Sequence, residues 1–180
     1  MKKQLNKTKK ANIAKALGFG FMFLTFSATF VAAFAAEISI PGKKIIVESS
    51  YVNYAWGFQY KGEIICDDGS IFEAQSGDGG MSEIEYSLTA KKASQKDLSG
   101  IKKLIALIDK TKLAEKHCAY DMGSYKVSAF TQSGESVMLC GYGDRAVLNT
   151  DKNSAELINL IAKYLSSAER IRKQTRKDLD

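Results

Sequence analysis

Residues 54–66 read Tyr-Ala-Trp-Gly-Phe-Gln-Tyr-Lys-Gly-Glu-Ile-Ile-Cys, and larger apolar side chains recur at every second position. This alternation is typical of a β-strand, because successive side chains of a strand point to opposite faces. Lys is a poor first residue for a tight hairpin turn, so we interpret Lys61-Gly62 as part of one long strand, bent at Gly57 or Gly62. One side of the strand carries Tyr54, Trp56, Phe58, Tyr60, Gly62, Ile64 and Cys66.

The aromatic side of this strand is predicted to face the core. A half-buried sheet needs one apolar face, and we expect helices to cover the face that carries Trp56. A platform on which sugars or peptides stack is the alternative use of such aromatic residues. The other side offers Ala55, Gly57 and Gln59, a flat surface that a further layer or a partner could approach.

Turn residues and alternation predict the remaining strands. Asp67-Asp68-Gly69 predicts a hairpin that returns along residues 71–74, and Ser82 to Ala90 alternates as a third strand. A second hairpin is predicted at Gln132-Ser133-Gly134-Glu135, between strands over residues 125–131 and 136–140.

Two segments change to helical spacing. Apolar residues three and four positions apart predict a helix over residues 95–110. A second helix is predicted from Asn153, whose side chain caps the first turn together with Glu156, and its apolar stripe continues to Leu165. The elements together predict an α+β domain, with an antiparallel sheet of about five strands and two amphipathic helices packed on one face.

The N-terminal segment has the layout of an export signal. Six lysines and no acid lie before Ala16, and no charged residue follows until after Ala36. The small residues of Ala33-Phe34-Ala35 suit signal peptidase, so we expect residues 1–35 to be a cleavable signal peptide and the chain to be secreted or held in a bacterial envelope. The alternative is an uncleaved anchor, since the uncharged run reaches the about 20 residues that span a bilayer.

Loss of that segment changes the charge of the protein. The whole chain has 26 basic and 20 acidic residues, and removal of the six lysines leaves a net charge of zero. Nucleic acid is therefore not an expected partner, and membrane contact is expected only if the N-terminal segment stays uncleaved. Residues 36–180 contain no repeat and no low-complexity linker, so they are predicted to form a single α+β domain.

Charge is unevenly distributed within that domain. Residues 37–90 carry three basic and nine acidic side chains, whereas residues 91–116 carry eight basic and three acidic ones. We expect the two segments to pack side by side and neutralise each other. A charged face that binds a partner is the alternative.

No catalytic template is complete in this sequence. The single histidine, His117, precedes Cys118 and lies four residues before Asp121. Adjacent side chains on an extended chain diverge, so we interpret His117 as an exposed connector residue rather than the base of a Cys-His-Asp site. Carboxylates on strands are the other candidates for catalysis, namely Glu63, Glu73, Glu83 and Glu85. No residue among them is singled out, so no catalytic residue is assigned.

Two loops are predicted to bind a partner, because loops carried by a rigid sheet often do. One is the acidic turn at residues 67–69, and the other is the glycine-rich segment over residues 75–80. They lack the Lys-Ser or Lys-Thr of a phosphate loop and the spaced oxygen ligands of a calcium loop, so no metal and no cofactor is expected. The predicted contact residues are Asp67, Asp68, Gly69, Gly77, Asp78 and Gly79.

Three cysteines in an exported chain predict one disulfide and one free thiol. Cys66 and Cys140 lie on predicted strands, whereas Cys118 lies in a connector that can adjust to the geometry of a bridge. We favour a bridge between Cys118 and Cys140, and the other two pairings remain open.

These observations favour an exported, non-enzymatic binding or interaction module. Its partner would be an extracytoplasmic protein or a small ligand. A small secreted hydrolase that uses strand carboxylates or Cys118 is the alternative function, and it would need at least two reactive groups that converge in a concave pocket.

Overall fold

The computed structural model describes residues 39–53, 58–77, 83–118 and 123–180. In these segments the chain forms one sheet of eight strands and three helices. The strands are β1 (Ile45–Asn53), β2 (Gln59–Cys66), β3 (Ser70–Ser76), β4 (Ile84–Lys92), β5 (Leu113–His117), β6 (Ser124–Phe130), β7 (Ser136–Tyr142) and β8 (Arg145–Asn149). The helices are α1 (Gln95–Leu107), α2 (Lys152–Ile161) and α3 (Ser166–Leu179).

The sheet follows the order β4-β3-β2-β1-β6-β7-β8-β5, and every neighbouring pair is antiparallel. Strands β1 to β4 form one meander and β6 to β8 form another, with β5 added beside β8. The pairing of β1 with β6 joins the two meanders. The predicted α+β class with an antiparallel sheet is thus confirmed, but the expectation of about five strands and two helices was too low.

The predicted single strand over residues 54–66 is wrong. Strands β1 and β2 are antiparallel with Asn53 opposite Gln59, so the chain reverses direction between these two residues. The second half of the predicted strand is β2. Tyr54, Trp56 and Gly57 lie outside the described residues, so the predicted burial of Trp56 stays a prediction.

The face that packs against the helices is also the opposite of the predicted one. Ile65 of β2 lies in the core cluster together with Ile101 of α1, Leu157 of α2 and Ile171 of α3. Because side chains alternate along a strand, Tyr60, Gly62 and Ile64 lie on the second face. Tyr60 and Ile64 are 2% and 0% exposed, so β2 is buried on both faces and its alternation does not tell which face meets the helices.

A buried polar contact occupies the second face. The hydroxyl of Tyr60 donates a hydrogen bond of 3.1 Å to Glu48 of β1, and Lys126 Nζ lies 3.9 Å from the same carboxylate oxygen. A Cβ on Gly62 would lie 2.3 Å from the Tyr60 hydroxyl oxygen. Because glycine has no side chain, the Tyr60 ring has room to extend across this position to Glu48. Burial, followed by the charge of Glu48, raises the pKa of Tyr60 far above its usual value.

The hairpin turns agree with the prediction. Gly69 has φ +85° and its N–H donates to the carbonyl of Cys66 at 2.9 Å, which closes the turn from β2 to β3. Gly134 has φ +87° in the turn from β6 to β7. Both turns need the left-handed backbone that glycine adopts without steric cost.

The predicted second helix is two helices. Helix α2 begins after Asp151, whose carboxylate accepts a hydrogen bond from Asn153 N at 2.8 Å, so the predicted cap at Asn153 is wrong by two residues. The Asn153 side chain instead donates to the Leu107 carbonyl at the end of α1. The chain leaves helical geometry before the buried Leu165, and α3 starts at Ser166 in contact with β1, β5, β6, β7 and β8.

Candidate ligand-binding cleft

A polar cleft of about 480 Å³ lies on the helix-facing side of the sheet. Strands β1 to β4 form its floor, and the first turn of α3 forms one wall. An adjoining cavity of about 490 Å³ shares Tyr51, Lys61, Gln75, Tyr125 and Arg170 with it. The two cavities together make one groove, which we call the cleft.

The strand sequences account for the position of the cleft. On β2, Ile65 packs in the core, and the next side chains on the same face are Glu63 and Lys61. Strand β3 repeats this change from apolar to polar, because Ile65 pairs with Ile71, Glu63 with Glu73 and Lys61 with Gln75. The helices cover the apolar part of this face, and the polar part remains open to solvent.

Glu63 joins the cleft floor to the wall. One carboxylate oxygen accepts hydrogen bonds from Ser166 N at 3.1 Å and Ser166 Oγ at 3.0 Å, and the other accepts from Ser167 N at 2.9 Å and from the Ser167 hydroxyl. Helix α3 has no side-chain cap of its own, so a carboxylate of β2 satisfies the free N–H groups of its first turn. Ser49 of β1 adds a hydroxyl contact of 2.6 Å to Ser167.

This arrangement fixes the charge of Glu63. Burial by itself raises the pKa of the carboxyl, but the hydrogen bonds from Ser166 and Ser167 outweigh it and hold the pKa below the usual 4.5. Glu63 therefore stays ionised at neutral pH and has no free proton to donate.

Tyrosines line the end of the cleft nearest to β6. The Tyr125 ring lies between Tyr51, with ring centroids 4.5 Å apart, and Tyr142, with centroids 4.7 Å apart. The guanidinium of Arg170 lies 6.0 Å from the Tyr125 centroid. Tyr125 is therefore already in contact with two other rings and a guanidinium, which leaves it less suited to act as a flat stacking platform.

Charges of both signs remain available in the cleft. Lys61 and Arg170 supply positive charge, and Glu73 and Glu85 supply negative charge. In the described part of the chain, none of these four takes part in an ion pair. Among the described residues, no ion pair joins the acidic residues of segment 37–90 to the lysines of segment 91–116, so their expected mutual neutralisation stays a prediction.

A second groove, of about 940 Å³, lies between α1 and the hairpin of β6 and β7. It is more apolar, and the lysines at its rim already have protein partners. Lys110 pairs with Glu135, Lys44 Nζ donates to the Gln132 carbonyl at 2.6 Å, and Lys102 Nζ donates to the Asp67 carbonyl at 2.9 Å. The unpaired charges of the cleft make it the stronger candidate for a polar ligand.

The predicted contact residues of the acidic turn have structural partners. Asp68 accepts a hydrogen bond from Ser70 N at 3.0 Å and pairs with Lys43, and these contacts, that of Lys43 first, hold the pKa of its carboxyl well below the usual range. Gly69 O accepts from Ala93 N at 2.9 Å, ahead of α1. The turn lies beyond the apolar part of β2 and β3, so the structure does not bring Asp67, Asp68 and Gly69 into the cleft.

The glycine-rich loop is described only in part. Gly77 N donates to the Glu83 carbonyl at 2.8 Å, which links the ends of β3 and β4. Asp78 and Gly79 lie outside the described residues, so the predicted contact through this loop stays a prediction.

The groups of the Cys-His-Asp alternative lie far from the cleft. His117 is exposed on β5, which forms the opposite edge of the sheet from β4. Cys118 follows it, with its N–H bonded to the Asp144 carbonyl at 2.8 Å, and Asp121 lies outside the described residues. Five strand positions separate β5 from β2 in the sheet order, which corresponds to about 24 Å.

All three cysteines are free thiols, so the favoured bridge from Cys118 to Cys140 is not present. Strand β8 lies between β5 and β7, which sets the strands that carry these residues about 9.5 Å apart. A disulfide needs Cα atoms within about 7 Å. Cys66 and Cys140 are fully buried, and burial raises the pKa of Cys140 to about 12.

Across the described segments, no group of three His, Cys, Asp or Glu residues is placed to hold a metal ion. The helices of this part of the chain are all too short or too polar to cross a membrane. No known protein family, curated protein or solved structure matches the chain.

Sequence reasoning noted the strand glutamates but missed the cleft. The hairpin turn centred on Asp68 already implies the register that places Glu63 opposite Glu73. The contribution of α3 had no comparable local signal, because Ser166 and Ser167 reach Glu63 from a distant part of the sequence.

Proposed function

We propose that this chain is an exported, non-enzymatic binding module that holds a short peptide with charges of both signs in the cleft. The observation that carries the proposal is the set of unpaired charges there. An ammonium group of the ligand would bind Glu73, beside which Glu85 adds negative charge, and carboxylates of the ligand would bind Lys61 and Arg170. Hydrogen bonds between charged groups are the stronger ones in proteins, which suits recognition in an open cleft.

The open shape of the cleft supports a peptide rather than a small buried ligand. Its floor crosses four strands, and neighbouring strands lie about 4.8 Å apart, so its length suits an extended segment of several residues. Gln75, whose side-chain amide lies 3.5 Å from the Glu85 carboxylate, adds a polar side chain along the floor. A sugar that needs a flat aromatic face fits less well, because the rings of Tyr51 and Tyr142 and the guanidinium of Arg170 already lie against Tyr125.

The hydrolase alternative rests on one contact, the cross-strand pair of Glu63 and Glu73. Two carboxylates side by side can share acid and base work when the pKa of one is raised. The pKa of Glu63 is lowered instead, because four donors bind its carboxylate. The geometry therefore favours binding over acid-base catalysis.

Nuclear magnetic resonance titration tests the binding proposal. The probe is a library of tripeptides with one lysine, measured with free termini and again with N-acetylated and C-amidated termini. We expect free peptides to shift amide signals of β2, β3, β4 and the start of α3, and blocked peptides to bind at least about tenfold more weakly, since a hydrogen bond to a charged group contributes about 1.5–3 kcal/mol.

Matched variants locate the site. Glu73→Gln keeps the side-chain shape and removes the charge, so it should weaken binding of the lysine tripeptide. Glu115→Gln, on the exposed edge strand β5, is the control and should leave binding unchanged. Signals that shift only around the turn at residues 67–69, or no shift with any peptide of the library, would reject the proposal.

The export part of the proposal has a separate test. N-terminal sequencing of the chain recovered from the envelope or the medium should begin at Ala36, because the small residues before it suit signal peptidase. Recovery of a membrane-bound chain that still begins at Met1 would favour an anchor instead.

A further inference from the structure

Strand β4 is the edge of the sheet beside the cleft. Among the described residues no strand pairs with its outer side, so the backbone groups on that side are open to another chain. Leu88 in the middle of β4 is 66% exposed, more than any other large hydrophobic side chain of the described residues. An open edge with an exposed apolar residue at its centre is a surface to which a further strand can add.

We propose that the partner of this edge is a second copy of the same chain, paired antiparallel with β4 about a two-fold axis at Leu88. In that register Leu88 meets Leu88 of the second copy. Glu85 lies opposite Lys91 of the second copy, and Lys91 lies opposite Glu85 of the second copy. The symmetric pairing thus forms two ion pairs and covers the exposed leucines.

The arrangement of charges selects this register. A pairing about Tyr86 or Ala90 leaves Glu85 and Lys91 without a charged residue opposite them. A pairing about Ser87 would need Glu83, which precedes β4 and whose carbonyl is bonded to Gly77 N. The pairing about Leu88 keeps every cross-strand pair within β4.

The register of β4 against β3 is irregular between Leu88 and Lys92, and it determines which face of the sheet Lys91 shares. Phe72 lies opposite Leu88 and Ser70 lies opposite Lys92, so four steps along β4 match two along β3. Ser70 and Phe72 share a face, so Lys92 lies on the same face as Leu88, and Lys91, next to Lys92, lies on the opposite face together with Glu85. Bulges and edge lysines usually deter unselective strand pairing, so an edge of this kind favours a partner that presents glutamates to the lysines.

The dimer would extend the cleft. Glu85 and Ser87 line it on the helix-facing side of β4, and the register places Lys91 and Thr89 of the second copy next to them. The clefts of both copies would then meet across the two-fold axis in one groove. A single strand edge buries less than the about 800 Å² per partner of a standard interface, so we expect a weak, concentration-dependent dimer.

Charge exchange tests the register by sedimentation equilibrium at low ionic strength. The protein is purified from the exporting cells, and its N-terminus is defined by mass spectrometry. Glu85→Lys and Lys91→Glu each replace two attractions per dimer by two repulsions, so each should weaken association by about tenfold. The double variant Glu85→Lys with Lys91→Glu should restore association to within about threefold of the wild type, and high salt should reduce these differences.

Two further variants complete the test. Lys92→Glu changes a neighbouring lysine that faces no acid in the proposed register and should leave association unchanged. Leu88→Asp places two like charges on the axis and should give a monomer, while circular dichroism shows the same fold. A wild-type protein that stays monomeric at every concentration, or a double variant no better than the single ones, would overturn the proposal.

Discussion

Replacement of Glu63 by alanine should destabilise the protein by about 2 kcal/mol. The substitution removes the acceptor for the first backbone N–H groups of α3, and loss of a helix N-cap costs about 0.5–2 kcal/mol. It also removes a negative charge from a partly buried helix N-terminus, which contributes about 0.3–2 kcal/mol. Ser166 is exposed, so water replaces part of the lost bonding and keeps the total near the middle of the summed range.

Urea unfolding followed by circular dichroism measures this loss. The midpoint should fall at an unchanged slope, because the surface exposed on unfolding stays the same. Glu63→Gln keeps one acceptor oxygen and should lose about half as much. Glu115→Ala, whose carboxylate lies 3.8 Å from Arg145 on an exposed edge, is the control and should cost less than about 0.5 kcal/mol. Equal losses for Glu63→Ala and Glu115→Ala would refute the capping role.

The contribution of Glu63 should also depend on pH with a definite sign. Its pKa is lower in the folded state than the usual 4.5, so the folded state binds its proton more weakly than the unfolded state. The stabilisation is therefore fully present above pH 4.5 and disappears as the pH falls through the folded pKa. The difference in stability between the wild type and Glu63→Gln should shrink over the same interval.

Two further outcomes are expected. Gly69→Ala should cost more than Gly134→Ala, because both glycines have positive φ but an added Cβ at Gly69 would lie 2.8 Å from the Ala93 carbonyl oxygen, whereas at Gly134 it meets nothing within 4 Å. Gly134→Ala should cost about 1–2 kcal/mol in urea unfolding and Gly69→Ala about 1–3 kcal/mol more, and equal losses would contradict the close contact. Iodoacetamide at pH 8 should modify Cys118 before Cys140, because burial raises the pKa of Cys140 to about 12, and mass spectrometry of the native protein would show the reverse order if Cys140 were accessible.

Local signals predicted the elements that depend on local chemistry. The turns at Gly69 and Gly134 follow from the left-handed backbone of glycine, and α1 follows from apolar residues at helical spacing. The N-cap of α1 is Ser94, whose hydroxyl accepts from Asp97 N at 3.1 Å within the same short segment. Such features can be inferred from a few neighbouring residues.

Strand β1 escaped prediction because tertiary packing determines it. Glu48, Ser49 and Ser50 interrupt its apolar residues, yet all three are buried, since β1 lies between β2 and β6. The sequence shows no alternation there that separates a core face from a solvent face. Strands β5 and β8 have five residues each, which is too short for a periodic signal.

The cleft required knowledge of contacts across the whole chain. The break between α2 and α3 falls inside a continuous apolar stripe that ends with Leu165, so periodicity alone predicts one helix. The break places Ser166 and Ser167 over Glu63, and that contact spans more than a hundred residues. A contact between residues so far apart in the sequence cannot be predicted until the sheet register is known.

The two meanders are joined only by the pairing of β1 with β6 among the described strands, and this has a consequence for how the chain folds. Hairpins within each meander close short loops, whereas the pairing of β1 with β6 joins distant segments and must overcome a larger loop-closure entropy. We expect the pairing of β1 with β6, at which the Tyr51 and Tyr125 rings meet, to limit the folding rate. A chain that emerges from its N-terminus exposes the open edge of β1 until β6 follows, so a pause in synthesis or export between residues 53 and 124 lengthens the time during which that edge can pair with the wrong strand.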